Sequence, residues 1–302
     1  MRTRFAPSPT GDLHVGGAWT ALAAWEMARR ASGTFVVRVE DLDPPRVVKG
    51  SDERILEDLR WLGLEWDEGP DVGGPCASDT QSARAPLYVA ALDLLAARGL
   101  TYPCDCSRAE IARIASAPHA GEEVRYPGMC RELDPRRKMK REPAVRLRVP
   151  PGEVGLVDGV AGPYAHDVAA TVGDFVLRRG DGVFAYQLAV TVDDLAMGVT
   201  DVVRGVDLLS STPRQILLAR LLGAEAPRYW HVPLVVATDG SRLAKRTPGG
   251  TIRELREVGF KKEEIVRPLR EGLGLDATPI AWPTRPWPIP EAWSRTNNPG
   301  SS

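Results

Sequence analysis

Cysteine is scarce in this chain: four residues among 302, too few for a disulfide scaffold. Long apolar runs are missing as well. None approaches the ~18–20 residues that cross a bilayer, which excludes a helical membrane span. Met1-Arg-Thr-Arg-Phe-Ala-Pro has no apolar stretch behind its charges, so no secretory signal is expected and the reading is a cytoplasmic protein in a reducing compartment. An excess of charge of one sign is also lacking. The 39 Lys and Arg balance 40 Asp and Glu, which excludes a purely electrostatic nucleic-acid binder while leaving room for a local basic face. Lysine itself is rare, six residues against 33 arginines, but the arginines are spread evenly and read as composition. Their one dense run, Arg136-Arg-Lys-Met-Lys-Arg141, reads as a solvated turn, with a phosphate-facing patch as the alternative.

What is present reads as an α/β protein of roughly two domains by length. Arg2–Ala6 is extended, and Pro7-Ser-Pro-Thr-Gly11 cannot be helical. Trp19, Leu22, Ala23 and Met27 then fall on one helical face, and Thr34–Val39 is a β-branched run, so a βαβ unit with a parallel sheet is expected. Helices are predicted at about Ser51–Leu62, capped by Ser51, at about Ala85–Arg98, closed by Gly99, and at about Thr212–Leu222. Strands are predicted at Phe184–Val192 and Val199–Arg204. From Thr278 onward, six prolines and three tryptophans in the last 25 residues predict an extended segment packed on the body or a partly disordered tail.

Two motifs carry phosphate chemistry. In Arg4-Phe-Ala-Pro-Ser-Pro-Thr-Gly-Asp-Leu-His-Val-Gly-Gly17 a strand ends, a Pro/Gly loop turns, and His14 with Gly16 and Gly17 opens a helix. Free N–H groups and the dipole at such a helix start favour anions, and glycines let a nucleotide approach the backbone. Ser241-Arg-Leu-Ala-Lys-Arg-Thr247 follows an apolar strand, and Lys245 offers a point cation for charge developing on a leaving pyrophosphate. A third constellation, Cys104-Asp-Cys106 with Tyr126-Pro-Gly-Met-Cys130, gives three thiols for a tetrahedral zinc site, with Tyr126 or His119 open as the fourth ligand. Cys76 stands apart and reads as an ordinary loop residue.

The pair HVGG and RLAKR resembles the HIGH and KMSKS signatures of class I aminoacyl-tRNA synthetases. RFAPSPTGDLHVGG, VRVEDLDPPR, YQLAVTVDD and GVTDVVRGVDLLSSTPRQ look like the glutamyl branch, and the resemblance extends over about residues 2–270. Ala244 departs from it, standing where the family often has Ser. The resemblance implies a Rossmann-like catalytic domain carrying a zinc-containing insertion. It divides the chain into a first catalytic half (1–99), the insertion (100–149), a second half with the signature loop (150–275) and the Pro/Trp-rich tail (276–302). It further implies that Arg4, Phe5, Ala6, Pro7, Ser8 and Glu40 line the glutamate pocket, with Glu40 on the substrate ammonium. Tyr186 and Arg204 would hold a substrate carboxylate, and His14, Gly16, Gly17 and Lys245 would serve ATP and its Mg²⁺. A Cys-x-Cys…Tyr-x-x-x-Cys pattern in the family favours Tyr126 as zinc ligand.

Only about 50 residues follow Lys245, which leaves no room for an anticodon-reading domain. Val190 stands where glutamyl enzymes of this pattern commonly carry Asn. Both features resemble a truncated paralogue that passes glutamate to queuosine in the anticodon loop of tRNA(Asp). The expected partners are therefore ATP, L-glutamate and queuosine-bearing tRNA(Asp), and the chain is expected to be a monomer. A short enzyme charging a tRNA 3′ end and a non-catalytic zinc- and RNA-binding relative are the alternatives.

Overall fold

The computed structural model describes residues 1–76, 79–114, 125–243 and 249–294. Its first elements are β1 (Arg2–Phe5), α1 (Val15–Arg30), β2 (Thr34–Val37), α2 (Ser51–Trp61), α3 (Ala85–Ala97), β3 (Thr101–Cys104) and α4 (Arg108–Ile114). After 115–124 come β4 (Ala144–Leu147), β5 (Glu153–Asp158), β6 (Gly162–Asp167), α5 (Val168–Thr171), β7 (Val176–Arg178), α6 (Tyr186–Ala196), β8 (Asp201–Gly205), α7 (Thr212–Leu222) and β9 (Arg228–Val232). The last are β10 (Val235–Val236), α8 (Ile252–Glu257), α9 (Lys262–Gly272), β11 (Trp287–Pro288) and α10 (Glu291–Ser294).

The central sheet is parallel, in the order β2-β1-β8-β9, with Arg2 opposite Thr34 and Val203 opposite Trp230. Period-two alternation sends its side chains into two cores. Phe5, Phe35, Val37, Val203 and Val232 face α1, where Trp19, Leu22 and Met27 form the helix's apolar stripe, backed by α2, α8 and α9. Val36, Val202 and Tyr229 face the opposite layer of α3, α6 and α7. A sheet covered on both faces explains why its strands read as continuous apolar runs.

Two local expectations are corrected. Residues 184–192 do not form a strand: helix α6 starts at Tyr186. Its apolar run Leu188-Ala-Val190 is buried between layers, where a buried helix and a buried strand look alike in sequence. Ser51 does not cap α2, because Gly50, with φ +71, holds that position and the Ser51 hydroxyl instead accepts from Gly11 N–H at 3.0 Å. That bond fixes the loop before His14.

β3, β4 and β7 form a separate antiparallel sheet beside the cysteines, so residues beyond 149 contribute to that unit. The described part of the tail is ordered against the body. β11 pairs with β10, Trp287 stacks on Trp19 at 4.9 Å, and Trp293 is fully buried.

Candidate active site

The sheet's alternation decides which charges meet. Thr3 Oγ1 donates to the Ala24 carbonyl of α1 at 2.9 Å, and Phe5 carries its ring into the same core, away from the polar side. Arg4, between them, therefore points toward α6, where its Nε donates to Asp194 Oδ1 at 3.1 Å. Arg38, just beyond β2, donates to the same oxygen from Nη1 at 2.7 Å and to Glu40 Oε1 from Nη2 at 3.0 Å. Helical spacing sets Tyr186, Val190 and Asp194 on one face of α6. Asp193 turns to α3 and the segment before it, accepting from Arg84 Nε at 2.6 Å, Gln81 Nε2 at 2.8 Å and the Tyr88 hydroxyl at 2.9 Å.

Arg204, near the end of β8, is held differently. Nε donates to His231 Nε2 at 3.0 Å and Nη2 donates to Thr212 Oγ1 at 2.7 Å. Its Nη1 is buried with no hydrogen-bond partner among the described residues. An unpaired buried guanidinium nitrogen is costly unless an anion meets it.

The electrostatics follow from burial and pairing. Burial pushes the Glu40 carboxyl up, against the pull of Arg38 and Arg4. Burial also works against Asp194, but Arg4 and Arg38 together hold it below the ordinary carboxylate range. For His231 burial is the largest influence, and Arg204 adds to it; they outweigh Asp158 and keep the imidazole below its usual value. Beside this cluster a cavity of about 600 Å³ is lined by Ser8, Glu40 and Tyr186 on one side and by Cys106, Arg146 and Arg179 on the other. Ala6 and Pro7 follow β1, and the chain is pinned there where Glu40 N–H donates to the Pro7 carbonyl at 2.9 Å.

A second cavity, of about 340 Å³, is lined by His14, Gly16, Trp19, Asp207 and Arg242 among others. His14 is the residue preceding α1. A methyl group on Gly16 would meet open space, whereas one on Gly17 would lie 2.9 Å from Leu13 Cδ1. Gly17 thus has a packing reason of its own. Lys245 and Ala244 lie outside the described residues, as does His119. The chain just after 244–248 is stitched to the His14 turn: Val15 N–H donates to Gly250 O, and Ile252 N–H to Leu13 O, each at 2.9 Å.

The thiols of Cys104, Cys106 and Cys130 lie within 4.8 Å of one another. Three sulfurs around one zinc ion at ~2.3 Å would be spaced about 3.8 Å, so the cluster fits such an ion. The Tyr126 hydroxyl is 3.4 Å from Cys104 Sγ and 3.9 Å from Cys106 Sγ. Burial and its sulfur neighbours push the Cys106 thiol up to about 12. The basic run beside it is partly an internal clip rather than a solvated turn. Arg137 Nη1 donates to Asp105 Oδ2 at 2.9 Å, Arg141 Nη1 to Glu110 Oε2 at 2.8 Å, and Arg136 stays exposed.

Sequence reasoning had not singled out Arg38, Asp194, His231 or Asp158. A charged residue between valines, as in Val37-Arg-Val39, signals a buried charge that needs a partner, but not which one.

Known proteins place this geometry. Residues 1–277 match the family model of tRNA synthetases class I (E and Q), catalytic domain. A protein of Nitratidesulfovibrio vulgaris named Glutamyl-Q tRNA(Asp) synthetase is 53% identical over 271 residues, covering 88% of this chain and 84% of that protein. One of the same name from Symbiobacterium thermophilum is 50% identical, covering 94% and 89%. A glutamate tRNA ligase of Elizabethkingia meningosepticum, solved with its amino acid, superposes with a TM-score of 0.72 at 31% identity, and the chain spans about half of it, 53%. This chain belongs to the class I tRNA synthetases (E and Q), a family of ligase-type enzymes, in the branch whose relatives are named Glutamyl-Q tRNA(Asp) synthetase.

Proposed function

We propose that this enzyme activates L-glutamate with ATP, without needing tRNA, and transfers the glutamyl group to queuosine in the anticodon loop of tRNA(Asp) in the cytoplasm. The observation that carries the reading is the unpaired, buried Nη1 of Arg204, with Arg204 and Glu40 both close enough to Tyr186 to act on its hydroxyl. A cationic fork and a carboxylate together suit a small molecule bearing both an ammonium and carboxylates. Glu40 takes the ammonium, Arg204 and Tyr186 take a carboxylate, and Arg4, Ala6 and Ser8 form the surrounding wall. His14 and Gly16 serve ATP at the second cavity, and Lys245 is the cation assigned to its phosphates.

In the first step a glutamate α-carboxylate oxygen attacks the ATP α-phosphorus and pyrophosphate leaves. In the second, an acceptor hydroxyl attacks the activated carbonyl, its proton is lost to the departing phosphate or to water, and AMP leaves with the bonding pair. The protein supplies position and electrostatics to both steps. Mg²⁺, brought with ATP, neutralises phosphate charge. Cys104, Cys106, Cys130 and Tyr126 would hold a structural zinc, a closed set that leaves no place for a catalytic water.

Support for the acceptor comes from the names of relatives at 50–53% identity and from Val190, an apolar residue on the same α6 face as Tyr186. The test is transfer of labelled glutamate. Label that survives removal of the 3′-terminal adenosine, and vanishes with queuosine-free tRNA(Asp), is the expected result. Label on the 3′ end of tRNA(Glu) would make this a glutamyl-tRNA synthetase instead. Glutamate-dependent pyrophosphate exchange should proceed with no RNA present, and a strict requirement for tRNA would refute that part.

A further inference from the structure

Arginine has five donors and no acceptor, so its orientation depends on the acceptors around it. At Arg204 one of those acceptors is a histidine, which can accept at only one nitrogen and only in one tautomer. His231 Nε2 lies 3.0 Å from Arg204 Nε, and its Nδ1 lies 2.6 Å from Asp158 Oδ2. Asp158 and His231 are fully buried. The carboxylate can only accept, so the ring proton sits on Nδ1 and Nε2 keeps its lone pair for the guanidinium, while the Thr212 hydroxyl, 3.1 Å from Nε2, has the Leu208 carbonyl at 3.3 Å to donate to. Asp158 is itself fixed: its Oδ1 takes the backbone N–H groups of Val160 at 2.9 Å, Ala161 at 2.8 Å and His231 at 3.1 Å.

We propose that Asp158 and His231 are positioning residues that set the enzyme's choice of glutamate over glutamine by locking Arg204 through a single imidazole tautomer. The inference rests on the functional reading above. Nε and Nη2 of Arg204 are spoken for by His231 and Thr212, and Nη1 is left aimed by the other two. A carboxylate oxygen satisfies that nitrogen. An amide whose NH₂ faces it sets donor against donor, and the fixed guanidinium cannot turn to relieve the clash. A tilted or mobile Arg204 would accept either side chain. The β5–β6 hairpin, which lies outside the central sheet, thereby takes part in substrate choice.

Asp158→Asn tests this isosterically. Three backbone donors hold the side-chain carbonyl oxygen, so the amide NH₂ must face His231 Nδ1 and drive the ring to the Nε2–H form, which opposes Arg204 Nε–H. In the full-length protein, the KM for glutamate in pyrophosphate exchange should rise about tenfold or more, the size of one lost charge-assisted hydrogen bond. The KM for ATP should stay unchanged, and discrimination against glutamine should fall. A folded variant with unaltered glutamate KM and discrimination overturns the proposal, as does an equal rise in both KM values. Should the variant not fold, ¹⁵N shifts of the histidine rings in the wild-type protein at pH 7.5 still decide: protonated Nδ1 with bare Nε2 is expected at His231, and a protonated Nε2 overturns it. The tautomer is read without activity, so failure of the functional reading, seen as no glutamate-dependent exchange by the wild type, stays distinguishable.

Discussion

Arg204→Ala removes the donor that a substrate carboxylate would meet. A charge-assisted hydrogen bond is worth about 1.5–3 kcal/mol, and leaving the carboxylate unpaired adds a desolvation cost. The expected loss is roughly two orders of magnitude or more in kcat/KM for glutamate. Near-normal activity would assign the carboxylate elsewhere, although Arg4, already spent on Asp194, is poorly placed to take over. Glu40 gives a pH prediction. Its charged form would hold the ammonium, and burial raises its carboxyl above the ordinary glutamate value. Glutamate binding should therefore weaken on acidification at a higher pH than an exposed glutamate would dictate, with Arg38, Arg4 and Asp194 as its charged neighbours. A pH series of glutamate KM checks this, and Glu40→Gln should flatten it. Arg4, His14, Glu40 and Arg204 could be proposed from the sequence because they sit in continuous strings. Arg38 and His231 were not, because what matters about them is a partner far away in sequence, Asp194 or Asp158, and only the fold supplies it.

Among the elements, the cysteine unit has little apolar core of its own: Tyr102, Cys104, Tyr126 and Cys130 are its buried cluster. Zinc there would contribute folding energy directly. Cys130→Ser should release about one equivalent of metal and expose the 100–149 region to protease while the parallel sheet survives. Metal analysis of the wild type with no zinc and full activity would remove the claim. The tail offers a contrasting case. Trp293→Ala should cost about 3–5 kcal/mol, as for other buried tryptophans. Gly249, with φ +70, has room for no side chain: a methyl there would lie 2.1 Å from the Trp293 carbonyl. Loss of Trp293 should therefore raise the KM for ATP more than that for glutamate. The sequence showed helix α7 to the residue, since Pro213 at its start and Gly223 at its end punctuate it. It misplaced α6, because an all-apolar stretch carries no period, and it left the tail between two readings, because proline-rich chain packs through tryptophans whose targets are distant.

For the whole molecule, transfer to tRNA should fall steeply with salt while RNA-free exchange changes little, since only the former releases counterions from phosphates. Comparing both activities across a salt series checks this. The sheet order β2-β1-β8-β9 has a consequence for synthesis on the ribosome. Arg4 and Val203, which touch across it, are 199 positions apart. The first two strands emerge with Arg4 and Arg38 long before Asp193 and Asp194 exist to neutralise them, so they have no reason to settle early. Closing so long a loop costs entropy before any contact rewards it, and parallel pairings of this kind fold slowly. The charged cluster around Asp194, and with it the proposed glutamate pocket, is thus among the last features to assemble, and a nascent chain released before α6 would carry half of that cluster with its charges exposed to water.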